Sequence, residues 1–287
     1  MPAGPSPSQG WPAASAAGAF RQSTIRIAVG LEYDGSAYSG WQTQRALRTV
    51  QQVTERALSG VAAEPISVIG AGRTDAGVHA AGQVAHFDTT ARRTMRAWVL
   101  GTNSALPEDV AVAWAVPVPQ HFHARYCAEA RTYRYVIGNR MARPALSARR
   151  AAWVWRALDA SRMAEAARHL TGEHDFSAFR SADCQAASPV RRLERLEVVR
   201  HGDWIVIEAS ANAYLHHMMR NIAGLLITVG KGEAPPAWAR EVLEGRDRTR
   251  GAATAPAAGL YLWEVRYPAA FALPPASAPR VFPADRL

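Results

Sequence analysis

Gly70-Ala71-Gly72-Arg73-Thr74-Asp75-Ala76-Gly77-Val78-His79 is a polar, glycine-rich segment set between two apolar runs, Ile66 to Ile69 and Gln83 to Phe87. Each run is short and bounded by turn-forming residues, so each reads as a strand. The glycines and small residues between them let the backbone turn tightly. Large polar groups in such a loop are held near a sheet, where clefts form. Arg73 and Asp75 are two residues apart, so an extended loop points both the same way. The plainer reading is a turn stabilised by a local Arg73–Asp75 pair. Gly70-Ala71-Gly72 lacks the lysine and the longer glycine spacing of a phosphate cradle.

Working outward, Ile25, Ile27, Val29, Leu31 and Tyr33 alternate with other residues, the period of a half-buried strand, and Asp34-Gly35 signals a turn. Val50, Val53, Ala57 and Leu58 recur at helical spacing, with Gly60 as the stop. A helix opens at Met95 to Leu100, and strands are expected over Val110 to Val116 and Thr132 to Ile137, the latter with Tyr133 and Tyr135 on one face. Asp159 to Leu170 reads as a helix capped by Asp159 or Ser161. Leu193 to Val199 and Trp204 to Ala209 form a hairpin through His201-Gly202-Asp203. Leu215 to Val229 is the strongest helix signal, followed by a shorter helix over Trp238 to Leu243 and a last strand over Leu260 to Val265. The mixture lacks regular βαβ alternation and points to an α+β protein of two domains. The expected divisions are a disordered tail over 1–22, domains over 23–122 and 123–268, and a loose tail over 269–287.

Composition narrows the function. The chain has 287 residues, 48% of them hydrophobic, enough for a full core. No apolar run reaches the length of a membrane span, and the Pro- and Ala-rich start has no signal-peptide pattern, so the expected location is the cytoplasm. Cys127 and Cys184 are too few for a disulfide framework or a cysteine zinc site. A net charge of +9 and a pI of about 10.2 favour a polyanionic partner. Lys231 is the lone lysine. Schiff-base chemistry would have to use it, and its neighbours do not fit.

Asn212-Ala213-Tyr214-Leu215-His216-His217-Met218-Met219-Arg220-Asn221 is the second polar cluster. Arg220 lies beside an apolar stripe of Leu215, Met219, Ile222, Leu226 and Val229. Two readings stand: a snorkelling arginine at the core edge, or a guanidinium that meets an acid in a cleft, favouring its charged form and fixing its orientation. Gly224, one turn on, admits another backbone or a ligand. His79, His86, His121, His123, His216 and His217 are candidate metal ligands with Asp75 or Asp88, His121 and His123 being placed on a strand. The spacing matches no zinc motif, so no metal and no cofactor is expected. Aromatic and basic residues interleave in Arg131-Thr132-Tyr133-Arg134-Tyr135 and in His174 to Arg180, a composition suited to stacked bases and phosphates.

Together these segments resemble the TruA family of tRNA pseudouridine synthases. The resemblance is carried by Tyr33-Asp34-Gly35 through Gly40-Trp41-Gln42, Gly70 to Ala80, His121 to Arg125, Arg131 to Tyr135, His174 to Phe179, Asn212 to Asn221 and Ala255 to Leu260, in that order. Tyr214 stands where phenylalanine is usual, and Ala187 where a polar residue is common. The resemblance implies two α/β domains sharing an extended, mainly antiparallel sheet with a central cleft, acting as a homodimer without a cofactor. It implies Asp75 as the essential aspartate, Tyr133 as the active-site tyrosine and Arg220 as the partner of Asp75. Arg73, Leu260, His79, Arg131 and Phe176 are the expected substrate-binding residues. The implied reaction converts uridines 38, 39 and 40 in the tRNA anticodon arm to pseudouridine. Two other readings are a non-catalytic tRNA-binding or folding protein on the same scaffold, and a metal-dependent hydrolase built on Asp75 and the histidines.

Overall fold

The computed structural model describes residues 23–275. The tail expected over 1–22 lies outside them, as do residues 276–287. Ten strands and five α-helices follow the order β1 (Ile25–Tyr33), α1 (Val50–Ala62), β2 (Ile69–Gly70), β3 (His79–Thr89), α2 (Met95–Ala105), β4 (Val110–Val118), β5 (Ala130–Asn139), β6 (Ala152–Val154), α3 (Ala160–Arg168), β7 (Gly172–Asp175), β8 (Val190–His201), β9 (Trp204–Ala211), α4 (Met218–Gly230), α5 (Trp238–Gly245) and β10 (Leu260–Arg266). All strands belong to one sheet, ordered β4-β1-β3-β10-β5-β9-β8-β7, with β2 on β3 and β6 on β5. The pairings are antiparallel except β10–β3 and β5–β6. This is the α+β architecture that the mixed pattern predicts.

The last strand joins the two halves. β10 pairs with β3 through Tyr261 opposite His79 and Leu262 opposite Ala80. On its other edge it pairs with β5, Leu260 opposite Tyr135. Side chains alternate across a strand, so Ile27, Val29 and Leu31 enter the main core while Ala28 joins a smaller cluster. Tyr133, Tyr135 and Ile137 likewise enter the main core, and Val136 packs elsewhere with Val206 and Tyr261. All five helices contribute to that main core, for example Leu58, Trp98, Met163, Leu226 and Val242. Among the described residues no helix is long and apolar enough to cross a membrane.

Several expected boundaries move, each for a local reason. Helix α1 passes through Gly60 and stops at Ala63, whose backbone is left-handed at φ 58°. The strand expected over Ile66 to Ile69 shrinks to Ile69–Gly70, because Gln51 and Glu55 on α1 bond the Val68 backbone carbonyl and N–H in place of a sheet partner. His121 and His123 sit in a turn, not on a strand. The stretch after Pro268 is not loose where it is described: Phe271 packs edge-on against Phe122 at 5.0 Å. Strands β6 and β7, short and half-exposed, carry no clear period and were not anticipated.

Candidate active site

The loop bearing Asp75 is held from several sides. The Ala71 N–H donates to the Val84 carbonyl at 2.7 Å, extending the β2–β3 pairing. Gln83 brackets Gly72, its amide nitrogen donating to the Gly72 carbonyl at 2.7 Å and its oxygen accepting from the Gly72 N–H at 3.3 Å. From the other side comes the segment after β1. The Trp41 N–H donates to the Thr74 carbonyl at 3.0 Å, and the Gly77 N–H to the Tyr38 carbonyl at 3.3 Å. The Tyr33 and Thr74 hydroxyls share a hydrogen bond of 2.8 Å. Gly40 permits this approach: its φ of +91° suits glycine, and a Cβ there would lie 2.6 Å from the Thr74 carbonyl oxygen. A loop bound this thoroughly presents its aspartate at a fixed place.

The opposite wall is the start of α4. The helix begins at Met218, three residues later than the apolar stripe predicts, because His217 takes a left-handed backbone at φ 63°. A non-glycine residue there costs of order 1 kcal/mol. The strained turn puts His216 Nε2 3.3 Å from Asp75 Oδ1 and His217 Nε2 3.4 Å from Oδ2. Arg220, one turn into the helix, places Nη1 3.3 Å from Asp75 Oδ2, while its Nε donates to the Ala255 carbonyl at 2.9 Å. Residues 253–255 reach the helix because Gly224 has no side chain: a Cβ there would lie 2.0 Å from the Ala253 carbonyl oxygen. Burial is the main cause lowering the His217 pKa, with the charge of Asp75 acting against it and those of His216 and Arg220 adding to it.

Tyr133 rises from β5 beneath the loop. Its hydroxyl lies 3.6 Å from where a Gly72 Cβ would stand, and its ring meets Tyr214 edge-on at 4.7 Å. Burial first, then the nearby Tyr33 and Asp75, push its pKa well above the ordinary phenol value. These surroundings favour the neutral phenol over the phenolate. Leu260, at the start of β10, completes the floor.

These groups line one cleft of about 1390 Å³, larger than a small-molecule pocket of roughly 300–1,000 Å³. Arg73, Arg125, Arg131, Arg191 and Arg220 border it, together with Trp41, Tyr126, Tyr133 and Tyr214. Arg73 is exposed there and forms no hydrogen bond or ion pair among the described residues, so the local Arg73–Asp75 pair is not formed. Arg131 lines the cleft as well, with its terminal nitrogens turned to backbone. Its Nη1 donates to the Ala128 and Asn212 carbonyls at 3.2 and 3.0 Å, and its Nη2 to Ala71 and Arg125 at 3.0 and 2.6 Å. Both its Nη groups are committed to backbone, and it clamps three cleft segments together.

Two expected binding residues stand away from the cleft. His79 is buried under the Asp34–Gly35 turn, its Nδ1 accepting from the Gly35 N–H at 3.1 Å and its Nε2 facing the Ala258 carbonyl at 3.2 Å. Phe176 is fully buried against Phe179 at 5.8 Å. Both support the fold around the site. Sequence reasoning passes over Tyr126, and it offers His216 and His217 beside Asp75 only as two of six candidate metal ligands. The sequence signal for Tyr126 is its place directly after the matched His121 to Arg125 segment, and His216 and His217 lie within the matched Asn212 to Asn221. Among the described residues, Asp75, His216 and His217 form the group whose ligand atoms all lie within 4.8 Å and so have the spacing to share a metal ion. The guanidinium of Arg220 on the same carboxylate opposes a cation there.

The chain is similar to known proteins over most of its length. A family model described as tRNA pseudouridine synthase matches residues 31–127 and 166–268. The chain is 59% identical over 255 residues to the tRNA pseudouridine synthase A of Nitrosococcus oceani, covering 89% of this chain and 98% of that protein. It is 56% identical over 250 residues to the protein of the same name from Pseudomonas aeruginosa, covering 87% and 88%. A third relative of that name, from Coxiella burnetii, is 55% identical over 249 residues, covering 87% and 95%.

Proposed function

Because the chain belongs to the tRNA pseudouridine synthase family, we propose that it isomerises uridines 38, 39 and 40 of the tRNA anticodon stem-loop, with Asp75 opening the reaction. The chain is an RNA-modifying isomerase, and tRNA pseudouridylation is its reaction class. The residue roles and the three positions are the proposal. One arrangement supports them: the Asp75 carboxylate lies in an RNA-sized cleft, 3.3 Å from the Arg220 guanidinium and close to the buried Tyr133 ring.

The chemistry needs few groups. The bond from uracil N1 to the ribose breaks, the base turns, and a bond forms from C5 to C1′, with the C5 proton leaving and N1 taking one up. Asp75 either attacks C1′ as a nucleophile or removes the 2′ proton to give a glycal. Arg220, fixed by Ala255, orients the carboxylate. Tyr133 stacks on the detached uracil and Leu260 confines it. A neutral phenol is suited to stacking; to remove the C5 proton, Tyr133 must first pass on its own. Arg73, unengaged at the mouth, is available to hold RNA whose target base has left the stack. The reading carries with it a homodimeric cytoplasmic enzyme with domains over 23–122 and 123–268.

Mapping pseudouridine in tRNA from cells with and without the gene tests the assignment. Loss at 38, 39 and 40 on deletion is the expected result; tRNA unchanged at all three overturns it. A metal-dependent hydrolase has only the spacing of Asp75, His216 and His217 behind it, and the Arg220 guanidinium on the same carboxylate opposes it; pseudouridine formation unchanged by EDTA is the expected result.

A further inference from the structure

We propose that Tyr126 is a base-stacking platform, receiving an unpaired RNA base on its exposed ring at the wall of the cleft. The inference rests on the reading of the cleft as an RNA site and adds a binding residue to it.

Tyr126 is 76% exposed and borders the cleft, although a tyrosine ring gains most from burial. Its exposure is not that of a free side chain. The ring stacks on His123 with centroids 4.3 Å apart and planes at 26°. His123 in turn packs on His86 at 4.9 Å, and His86 meets the fully buried Phe122 edge-on at 5.9 Å. A ladder of rings thus runs from the core to the cleft and ends in the exposed ring of Tyr126. The rung beneath is itself fixed, since His123 Nδ1 accepts the N–H groups of both Arg125 and Tyr126 at 3.2 Å.

The surroundings select a base over other occupants. The exposed Arg125 guanidinium lies over the Tyr126 ring, 5.7 Å from its centre, so a base that stacks on this tyrosine meets a positive charge close enough to reach its phosphate. Every base offers a π-face to such a ring, and the unpaired nucleotides of an RNA loop are free to splay onto it. The platform also keeps a fixed relation to the reacting centre. Arg131 Nη2 bonds both the Arg125 carbonyl, next to Tyr126, and the Ala71 carbonyl, at the root of the Asp75 loop.

The test uses the full chain and an unmodified tRNA transcript, with binding measured by fluorescence anisotropy at one salt concentration. Tyr126→Phe is expected to bind within about twofold of the unchanged chain, because the ring is retained. Tyr126→Leu and Tyr126→Ala are expected to weaken binding roughly 5- to 100-fold, the range of one lost stack. All three are expected to keep the melting temperature of the unchanged chain, since the ring is largely outside the core. Affinity unchanged in the leucine and alanine variants overturns the proposal. So does an equal loss in all three, which would assign the effect to the hydroxyl, or a change of oligomeric state without a change in RNA affinity. Pseudouridine formation is read separately: an unchanged chain that binds tRNA but forms no product overturns the catalytic reading, while the Tyr126 series still decides the platform.

Discussion

Arg220 holds two partners at once, its Nη1 3.3 Å from Asp75 Oδ2 and its Nε bonded to the Ala255 carbonyl at 2.9 Å. A planar fork is suited to this, and a single ammonium is not. Arg220→Lys is therefore expected to keep the fold and lower kcat by about 100-fold, the scale of losing one preorganised donor. KM for tRNA should stay within a few-fold. Steady-state pseudouridine formation measures both, and a kcat within twofold of the unchanged chain would contradict the role given to Arg220.

Gly224 and Gly60 make a matched pair. At Gly224 an added Cβ would lie 2.0 Å from the Ala253 carbonyl oxygen; at Gly60, within α1, it meets nothing within 4 Å. Gly224→Ala is expected to destabilise by about 1–3 kcal/mol through forced displacement of backbone. Gly60→Ala should stabilise by about 0.5–1 kcal/mol through helix propensity. Urea denaturation of the two variants reads opposite signs if the packing is as described.

Arg131 ties the Asp75 loop, the 123–127 turn and the strand leading to α4 through four carbonyls. Arg131→Ala is expected to lose stability by about 1–3 kcal/mol, the cost of leaving such acceptors unpaired. It should also speed amide hydrogen exchange in residues 70–78 and 123–127 together. Exchange unchanged in both segments would assign Arg131 to RNA contact instead.

His86 supplies a pH signature of the fold. Its Nδ1 accepts the Ala124 N–H at 3.1 Å, and burial, aided by the charge of Arg26, lowers its pKa from 6.5 to about 4. The unfolded chain thus takes up a proton at a higher pH than the folded one. Stability from this group is complete above about pH 6.5 and is lost as pH falls toward 4. His86→Gln, which keeps an acceptor but does not titrate, should flatten that decline by on the order of 1–2 kcal/mol after solvent screening. Melting curves from pH 7 to pH 4 provide the measurement, and parallel declines in the two proteins would contradict it.

Much of the fold is legible in the sequence. The alternation of Ile27, Val29 and Leu31 and the Gly202 hairpin fix strands by local pattern, and the stripe from Met219 to Val229 fixes α4. What pattern does not carry is contact between distant segments. Burial of His79 under the Asp34–Gly35 turn and of Phe176 within the main core depends on chain paths that no local period encodes. The left-handed backbone of His217 escaped for a related reason: an apolar stripe runs through Leu215, and only the tertiary turn against Asp75 breaks it. Arg131 had the composition of an RNA contact, and the carbonyls that occupy it come from segments spread along the chain.

The central claim is that Asp75 begins the reaction in a cleft that binds tRNA without it. Tritium release from uridine labelled at C5 within tRNA, compared between the unchanged chain and Asp75→Ala, tests this most directly. Release should vanish in the variant while its tRNA affinity stays within a few-fold. Release at the unchanged rate from Asp75→Ala would contradict the account.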